Sequence, residues 1–470
     1  MIYSQDFELQ RIIERVYKND QGHIFQFWDT LDENQQTDLL AQADLIDFTN
    51  LSKLIKQAAS GKEEKYEGKL EAPDVITLDK RLEKDDEAKQ IGEAALAAGD
   101  VAAVLVAGGQ GTRLGYDGPK GMYPVTPVKK KSLFQLHAEK LLALGAQFDI
   151  QIPWYIMTSV TNNKQTIHGF QKNNYFGYDP ENVFVFVQEM IPAIDHQGKL
   201  ILDARNHIFM NPNGHGGTIK ALSESGALSD MRKRGIEHLF YFQVDNVLTQ
   251  ICDPVYLGYH ILGDSEMSSK VVHKKYPEEK MGVLCMIGNT LHLIEYSDLS
   301  DEDMHAKNKD GSLKLWAGNI ATHVFDRKFL ERENQGGFKL PYHIAEKSVP
   351  YINKQGEKVH PDNKNGIKFE TFIFDALVDA KQTICLEIER EKEFSPLKNG
   401  EGENSPQTVK RDLNKNYAGW LNNAGYKIPV DGKGVPEIDI EISPFVSLNG
   451  ENLKEMELKI TSKEKSLYIE

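Results

Sequence analysis

The chain has 470 residues and a formal net charge of −15 at pH 7, too long for one ordinary core and too acidic to bind nucleic acid or an anionic membrane non-specifically. No apolar run approaches the length of a membrane-spanning helix, and Met1-Ile2-Tyr3-Ser4-Gln5-Asp6 does not open a signal peptide. The three cysteines, Cys252, Cys285 and Cys385, are far apart and fit neither a disulfide framework nor a zinc site, which suits a reducing cytoplasm.

Residues 1 to about 95 read as helical and polar. Ile24, Phe25, Phe27, Trp28 and Leu31 fall at helical spacing, and Leu39, Leu40 and Leu45 continue a stripe expected to pack as core. Ser60-Gly61-Lys62-Glu63-Glu64-Lys65 reads as an exposed link. Val101 to Ala107 is an apolar run built like a buried parallel strand. It breaks into a loop with Gly108, Gly109, Gly111 and Gly115, and the same loop carries Arg113 and Lys120. Glycines let backbone approach a ligand and present bare N–H groups, and two adjacent cations call for an anion such as the phosphates of a nucleotide. The loop is not a P-loop, which needs G-x-x-x-x-G-K-[ST]. It is not the dinucleotide fingerprint either, because Leu114 stands where that motif needs a small residue.

Strands predicted at 101–107, 153–158, 183–187 and 238–244 alternate with helices beginning near Ser132, Asn162 and Gly217. This alternation predicts an α/β fold with a mostly parallel sheet and helices on both faces. The segment 268–325 is richer in β signals and is expected to form a smaller sheet walling the site. Leu413–Asn422 reads as a helix, and Glu437-Ile438-Asp439-Ile440-Glu441-Ile442 alternates strictly, as a half-buried strand does.

Three further clusters carry chemistry. Asp245 follows the predicted strand 238–244, and a carboxylate at the C-terminal end of a strand in an open α/β sheet lies where ligands bind. One such carboxylate suffices for magnesium, which takes its other ligands from phosphate and water. Asn213-Gly214-His215-Gly216-Gly217-Thr218 opens a helix, whose N-terminus favours a polar or anionic group. Gln188 ends another strand, and its amide offers a donor and an acceptor suited to the imide edge of uracil. Lys368 and Lys398 lie in segments that local sequence leaves without a role.

Gly-Gly-Gln-Gly-Thr-Arg-Leu-Gly over 108–115, followed by Pro-Lys-Gly-Met over 119–122, resembles the signature of nucleotidyltransferases that make nucleotide sugars. Within them the chain resembles the eukaryotic-type UDP-N-acetylglucosamine pyrophosphorylases. The likeness runs from Phe27-Trp28 to Ile442-Ser443-Pro444, with the blocks in family order. It implies a Rossmann-like, GT-A-like sheet within three segments: a helical N-terminal region 1–95, a catalytic domain 96–410 and a small β-containing C-terminal domain 411–470. It also implies uridylyl transfer from UTP to an N-acetylhexosamine 1-phosphate with release of pyrophosphate, helped by Mg2+. UDP-N-acetylgalactosamine is a conceivable second product. A UDP-glucose or broad-range pyrophosphorylase and a non-catalytic sugar-nucleotide sensor are the alternatives.

By the same resemblance Gly108, Gly109 and Gly111 hold the nucleotide, and Arg113 and Lys120 match the basic residues at the phosphates. Gln188 matches the uracil reader, and Asp245 the aspartate near the phosphates and metal. Gly282, Glu295 and Asn319 match sugar-binding positions, and Lys368 and Lys398 match lysines near the phosphates. One block departs: the family's Gly-Asn-Gly-Gly is Gly214-His215-Gly216-Gly217 here, which touches the uridine contact and not the reaction class.

Overall fold

A computed structural model describes residues 2–60, 66, 68–458 and 465–470. Most of the link read at Ser60–Lys65 lies outside the described residues. The chain divides into two compact units, each discontinuous in sequence: residues 1–67, 188–217 and 340–375, and residues 68–187, 218–339 and 376–470. The boundaries do not follow the three sequence segments.

The first unit contains the helices α1 (Phe7–Lys18), α2 (Glu33–Asp44) and α3 (Phe48–Ser60). Asp6 caps α1, and Asp32 with Gln35 forms a capping box on α2. Ile13, Val16, Leu39, Leu40, Leu51 and Leu54 share one core with Ile191, Ile194, Ile208, Ile367 and Phe369 from the two later segments. Leu45 is not part of that core: it ends α2 and is exposed. The three-stranded sheet here is antiparallel and pairs Gly366–Glu370 with His343–Lys347 on one side and Ile194–Asp195 on the other.

The second unit is built on one eleven-stranded sheet. Its strands are β1 (Leu70–Glu71), β2 (Val75–Ile76), β3 (Val101–Val106), β4 (Trp154–Thr158), β5 (Val183–Val187), β6 (His238–Gln243), β7 (Met267–His273), β8 (Val283–Ile287), β9 (Thr290–Ile294), β10 (Ala317–Asp326) and β11 (Thr383–Glu387). The order is β2-β11-β7-β10-β6-β3-β4-β5, parallel at every pairing except the two made by β10. The β-rich segment 268–325 is therefore not a separate smaller sheet. Its strands β7 and β10 lie inside the main sheet, and the β8–β9 hairpin joins through β10. β3 and β4 are buried along nearly their whole length, as strands covered on both faces must be.

The helices of this unit include α4 (Asp85–Ala98), α5 (Leu133–Ala146), α6 (Asn163–Lys172), α7 (Pro254–Leu262) and α8 (Pro406–Asn423). Ser132 caps α5, and Pro406 opens α8 behind the Ser405 cap. The C-terminal segment belongs to this unit: Leu413, Tyr417, Ile440, Ile442 and Ile469 join its core. Asp439–Ile442 pairs in parallel with Ser466–Ile469. The expected alternation fails at Glu441, which is buried and accepts from the amides of Val128 (2.8 Å) and Lys129 (2.7 Å). Among the described residues no helix is long and apolar enough to cross a membrane.

After β5 the chain returns to the other side of β3 to lay down β6, so the strand order reverses between β3 and β6. Val106 is level with Gln243 on one side and Met157 on the other, so the loops after β3, β4 and β6 leave the sheet together. Such a switch point is where open α/β sheets bind ligands.

Candidate active site

The glycine loop leaves β3 and folds back on itself: Lys120 N–H donates to Gly109 C=O (3.0 Å) and Gly111 N–H to Gly118 C=O (2.9 Å). Its carbonyls are tied to the loop after β4. Asn162 Nδ2 donates to Ala107 C=O (2.8 Å) and Gly109 C=O (3.2 Å), and Ser159 Oγ donates to Gly108 C=O (2.8 Å). Three successive carbonyls are thus drawn to one side. Among the described residues the amides of Gly108, Gly109 and Gln110 donate to no backbone carbonyl, and they point away from the anchored side. A row of such backbone N–H groups has the make-up of an anion-binding concavity. Sequence reasoning missed Ser159 and Asn162 as parts of it. The only signal was the position of Asn162 at a helix start after a strand.

Beside this loop Lys120 Nζ donates to Asp245 Oδ2 at 2.9 Å, and both side chains are largely buried. Burial works to raise the Asp245 carboxyl, but Lys120 and Lys398 outweigh it and hold the group ionised below the usual carboxylate range. The segment bearing Asp245 is fixed from beneath by α5: His137 Nε2 bonds Val244 C=O (3.0 Å), and Lys140 Nζ donates to the carbonyls of Val247 (2.7 Å) and Thr249 (3.0 Å). Burial pushes the His137 imidazole down to about 3 and the Lys140 ammonium down to about 7.

The loop that carries Lys398 is docked on the same segment. Leu397 N–H donates to Asp245 C=O (2.8 Å), and Asn246 bonds both Glu393 C=O (2.7 Å) and Ser395 N–H (2.9 Å). Further on, a Cβ on Gly400 would stand 2.9 Å from the Arg113 carbonyl. Lys120, Asp245 and Lys398 therefore belong to one constellation, with the Arg113 backbone beside the loop of Lys398. Buried Lys270 supports it by bridging Asp253 (2.8 Å) and Glu393 (2.5 Å).

Gly282, Glu295 and Asn319 also come together in this unit. Asn319 N–H donates to Gly282 C=O (2.9 Å), and a Cβ on Gly282 would stand 3.1 Å from a Glu295 carboxylate oxygen. The space beside Gly282 is filled by the side chains of Leu293 and Glu295, whose ends would stand 2.7 and 3.1 Å from a Cβ there, rather than left open. Asn319 Oδ1 accepts from Ala321 N–H (3.0 Å), so the side chain offers its Nδ2 donors. Ala321 has a left-handed φ of 55°, opposite a register shift in β7 between Ser269 and Val271. A non-glycine residue held there is strained, and the register shift marks a bulge two residues after Asn319.

The remaining candidates lie in the first unit. Gln188 is buried, and its Nε2 donates to Asn213 Oδ1 (3.2 Å) and to Gly214 C=O. Both amide hydrogens are thereby engaged, so Gln188 presents its oxygen rather than a donor–acceptor pair. The glycines at 214, 216 and 217 answer to packing: added Cβ atoms would stand 2.3 Å from Thr371 C=O, 2.7 Å from Phe372 N and 2.0 Å from Asn213 Oδ1. His215 Nδ1 accepts from Ile373 N–H (3.2 Å), and its ring packs against Phe372 and Phe374 at 5.4 and 5.5 Å. The ring thus anchors this loop to the turn after Gly366–Glu370 and the 3-10 helix Ile373–Val378 that follows. Lys368 lies on Gly366–Glu370 with its Nζ 4.8 Å from the Phe209 ring, and burial pushes its ammonium down.

The donor set at Asp245 is one ionised carboxylate. It fits a divalent ion that draws most of its ligands from phosphate and water. It does not fit a cage made by protein alone, since the one cluster of His, Cys, Asp or Glu ligands among the described residues is elsewhere.

Known proteins resemble this chain over most of its length. The family model for UTP--glucose-1-phosphate uridylyltransferase matches residues 48–404. The chain is 38% identical over 454 residues to a probable UDP-N-acetylglucosamine pyrophosphorylase of Dictyostelium discoideum, covering 92% of each chain. It is 38% identical over 462 residues to the UDP-N-acetylglucosamine pyrophosphorylase of Saccharomyces cerevisiae, covering 94% of this chain and 95% of that one. A crystal structure of the Trypanosoma brucei uridine diphosphate N-acetylglucosamine pyrophosphorylase superposes with a TM-score of 0.84 at 25% identity, over 100% of this chain and 99% of that one. The chain belongs to the UTP--glucose-1-phosphate uridylyltransferase family and, within it, to the UDP-N-acetylglucosamine pyrophosphorylases.

Proposed function

We propose that this chain is a UTP:N-acetylhexosamine-1-phosphate uridylyltransferase, forming UDP-N-acetylglucosamine and pyrophosphate reversibly. The observation that carries the reading is the Lys120–Asp245 pair beside a loop whose carbonyls are drawn back by Asn162 and Ser159. A phosphate oxygen of the sugar 1-phosphate attacks the α-phosphorus of UTP in line, and pyrophosphate leaves. The nucleophile is already anionic, so the chemistry asks for positioning and charge neutralisation and not for a strong base.

The amides of Gly108 and Gly109 hold phosphate oxygens. Arg113 and Lys120 take the leaving pyrophosphate, and Lys398 balances charge at the α-phosphate. Asp245 would hold magnesium, which supplies further neutralisation at phosphate oxygens when bound. Gln188 and the 213–217 loop read the uracil, and Lys368 serves the sugar phosphate. Glu295 takes sugar hydroxyls, and Asn319 Nδ2 donates to the acetamido carbonyl. The cytoplasm is the setting proposed, in keeping with three buried free thiols.

Pyrophosphate release is the test. UTP with N-acetylglucosamine 1-phosphate should release it in the presence of magnesium, while ATP, CTP and GTP should release little. ATP used as well as UTP would remove the base-pocket assignment, and binding without release would leave a sensor instead of an enzyme.

A further inference from the structure

The opposite end of β6 carries a second cluster with no part in this chemistry. His238 opens the strand, seven positions before Asp245 and therefore ~20 Å from it along a strand. Asp326, the last residue of β10, is its direct cross-strand partner. His260, buried in α7, completes the group. Among the described residues these are the one set of three His, Cys, Asp or Glu side chains whose ligand atoms lie within 4.8 Å of one another.

The two rings turn nitrogens toward a single carboxylate oxygen: His238 Nδ1 lies 3.1 Å and His260 Nε2 3.5 Å from Asp326 Oδ1. Neither nitrogen has a hydrogen-bond partner, though both are buried. The other side of the His260 ring fixes what its Nε2 can be. Its Nδ1 is 2.6 Å from Ser268 Oγ, the hydroxyl of Ser268 donates to Ser265 Oγ (2.9 Å), and that of Ser265 donates to Gln382 C=O (3.3 Å). The one hydrogen of Ser268 is spent, so Nδ1 must be the donor and the neutral ring carries its lone pair on Nε2.

A lone pair facing a carboxylate at this distance is repulsive unless a cation stands between them. The spacings suit one. Ligands at 2.0–2.1 Å from a tetrahedral ion lie about 3.3–3.4 Å from each other, and 3.1 and 3.5 Å bracket that edge. The serine relay is the outer-shell partner that metal-binding histidines characteristically have.

We propose that His238, His260 and Asp326 bind a divalent transition-metal ion of the zinc class, separate from the ion used at Asp245. Imidazole and carboxylate ligands select that class over magnesium. The side chains of Asp326 and His238 are 33% and 18% exposed, which gives the ion a route in and leaves the fourth position to water. The ion ties β6, β10 and α7 together at the ends of two central strands, remote from the phosphate loop.

The test uses the full chain, stripped with a chelator, reloaded with Zn2+ or Co2+ and dialysed. Wild type should keep about one ion per chain, show the visible absorption of four-coordinate Co2+, and melt at a higher temperature with zinc than with chelator. His238→Asn and Asp326→Asn should each lose all three properties. Both positions are partly exposed, so either variant serves if the other fails to fold. Wild type that holds no ion after dialysis overturns the assignment. So does a variant that keeps as much metal and the same Co2+ spectrum as wild type, since the binding would then lie on other surface groups.

Discussion

At the scale of single residues, Asp245 concentrates what the site does. It is buried, ionised and paired with Lys120, and its backbone carbonyl also receives the loop of Lys398. Asp245→Asn keeps the size of the side chain and removes its charge. Magnesium-dependent turnover should fall by about 10²-fold or more, by analogy with losing one well-placed transition-state contact, while the melting curve stays cooperative. Initial rates across a magnesium series check this, and an unchanged rate and magnesium midpoint would remove the metal role. Of the residues carrying charge, Arg113, Lys120 and Asp245 stand out in the sequence through their motifs, and Lys398 only through the family resemblance. The polar residues that shape the loop, Ser159 and Asn162, do not stand out. Their contacts span about fifty positions, and a serine or asparagine after a strand looks the same whether it caps a helix or anchors a carbonyl.

At the scale of elements, α5 and β6 are coupled through His137, which is fully buried with its Nε2 on Val244 C=O. Its imidazole is pushed down to about 3 in the fold from an ordinary value of 6.5. Above pH 6.5 neither folded nor unfolded chain protonates it. Between 6.5 and about 3 the unfolded chain takes the proton and the fold refuses it, so stability falls by about 1.4 kcal/mol per pH unit as pH drops through that window. His137→Gln keeps a donor for the carbonyl and removes the titration. Urea midpoints at pH 7, 6 and 5 should fall less steeply for the variant, and parallel profiles would show that His137 does not set the acid limb.

The pairing of α4 with α7 depends on glycine in a way that can be tested directly. A Cβ on Gly258 would lie 1.7 Å from Ala88 C=O, and one on Gly92 1.9 Å from Pro254 C=O. Backbone cannot yield as a side-chain tip can. Gly258→Ala should therefore cost about 3 kcal/mol or more, the upper range for overpacking, as read from denaturant unfolding. A loss under about 1 kcal/mol would mean that the helices slide apart freely.

Elements themselves were well marked in the sequence. Strands expected at 101–107, 153–158, 183–187 and 238–244 appear within a residue or so of those limits. Their partners were less legible. Nothing local to Met267–His273 or Ala317–Asp326 says that they enter the main sheet, because register is decided by distant strands. Glu441 misled for the same reason: two amides and the nearby Lys131 make a buried place for a charge that alternation puts in water.

At the scale of the whole molecule, the helical N-terminal segment is not a unit by itself. Its core closes only with Ile191, Ile194, Leu200 and Ile208 from one later segment and Ile367 and Phe369 from another. Local composition could not reveal that, because each segment reads as ordinary α/β sequence. Gln188, Gly214, His215 and Lys368 belong to this unit, and Arg113, Lys120, Asp245, Gly282, Glu295, Asn319 and Lys398 to the other.

The sugar preference is where the reading is most exposed. Asn319 has its oxygen engaged by Ala321 N–H and offers its Nδ2, which an acetamido carbonyl can accept from and which the 2-hydroxyl of glucose, a shorter group, reaches less far to meet. A fully buried donor left underpaired costs about 1–3 kcal/mol, and for half-buried Asn319 this sets the upper range, roughly a 5- to 150-fold preference. The deciding measurement is kcat/KM for N-acetylglucosamine 1-phosphate against glucose 1-phosphate, with UTP and magnesium saturating. A ratio within that range in favour of the acetylated sugar is expected. Equal values, or a preference for glucose 1-phosphate, would mean that the chain is a UDP-glucose or broad-range pyrophosphorylase.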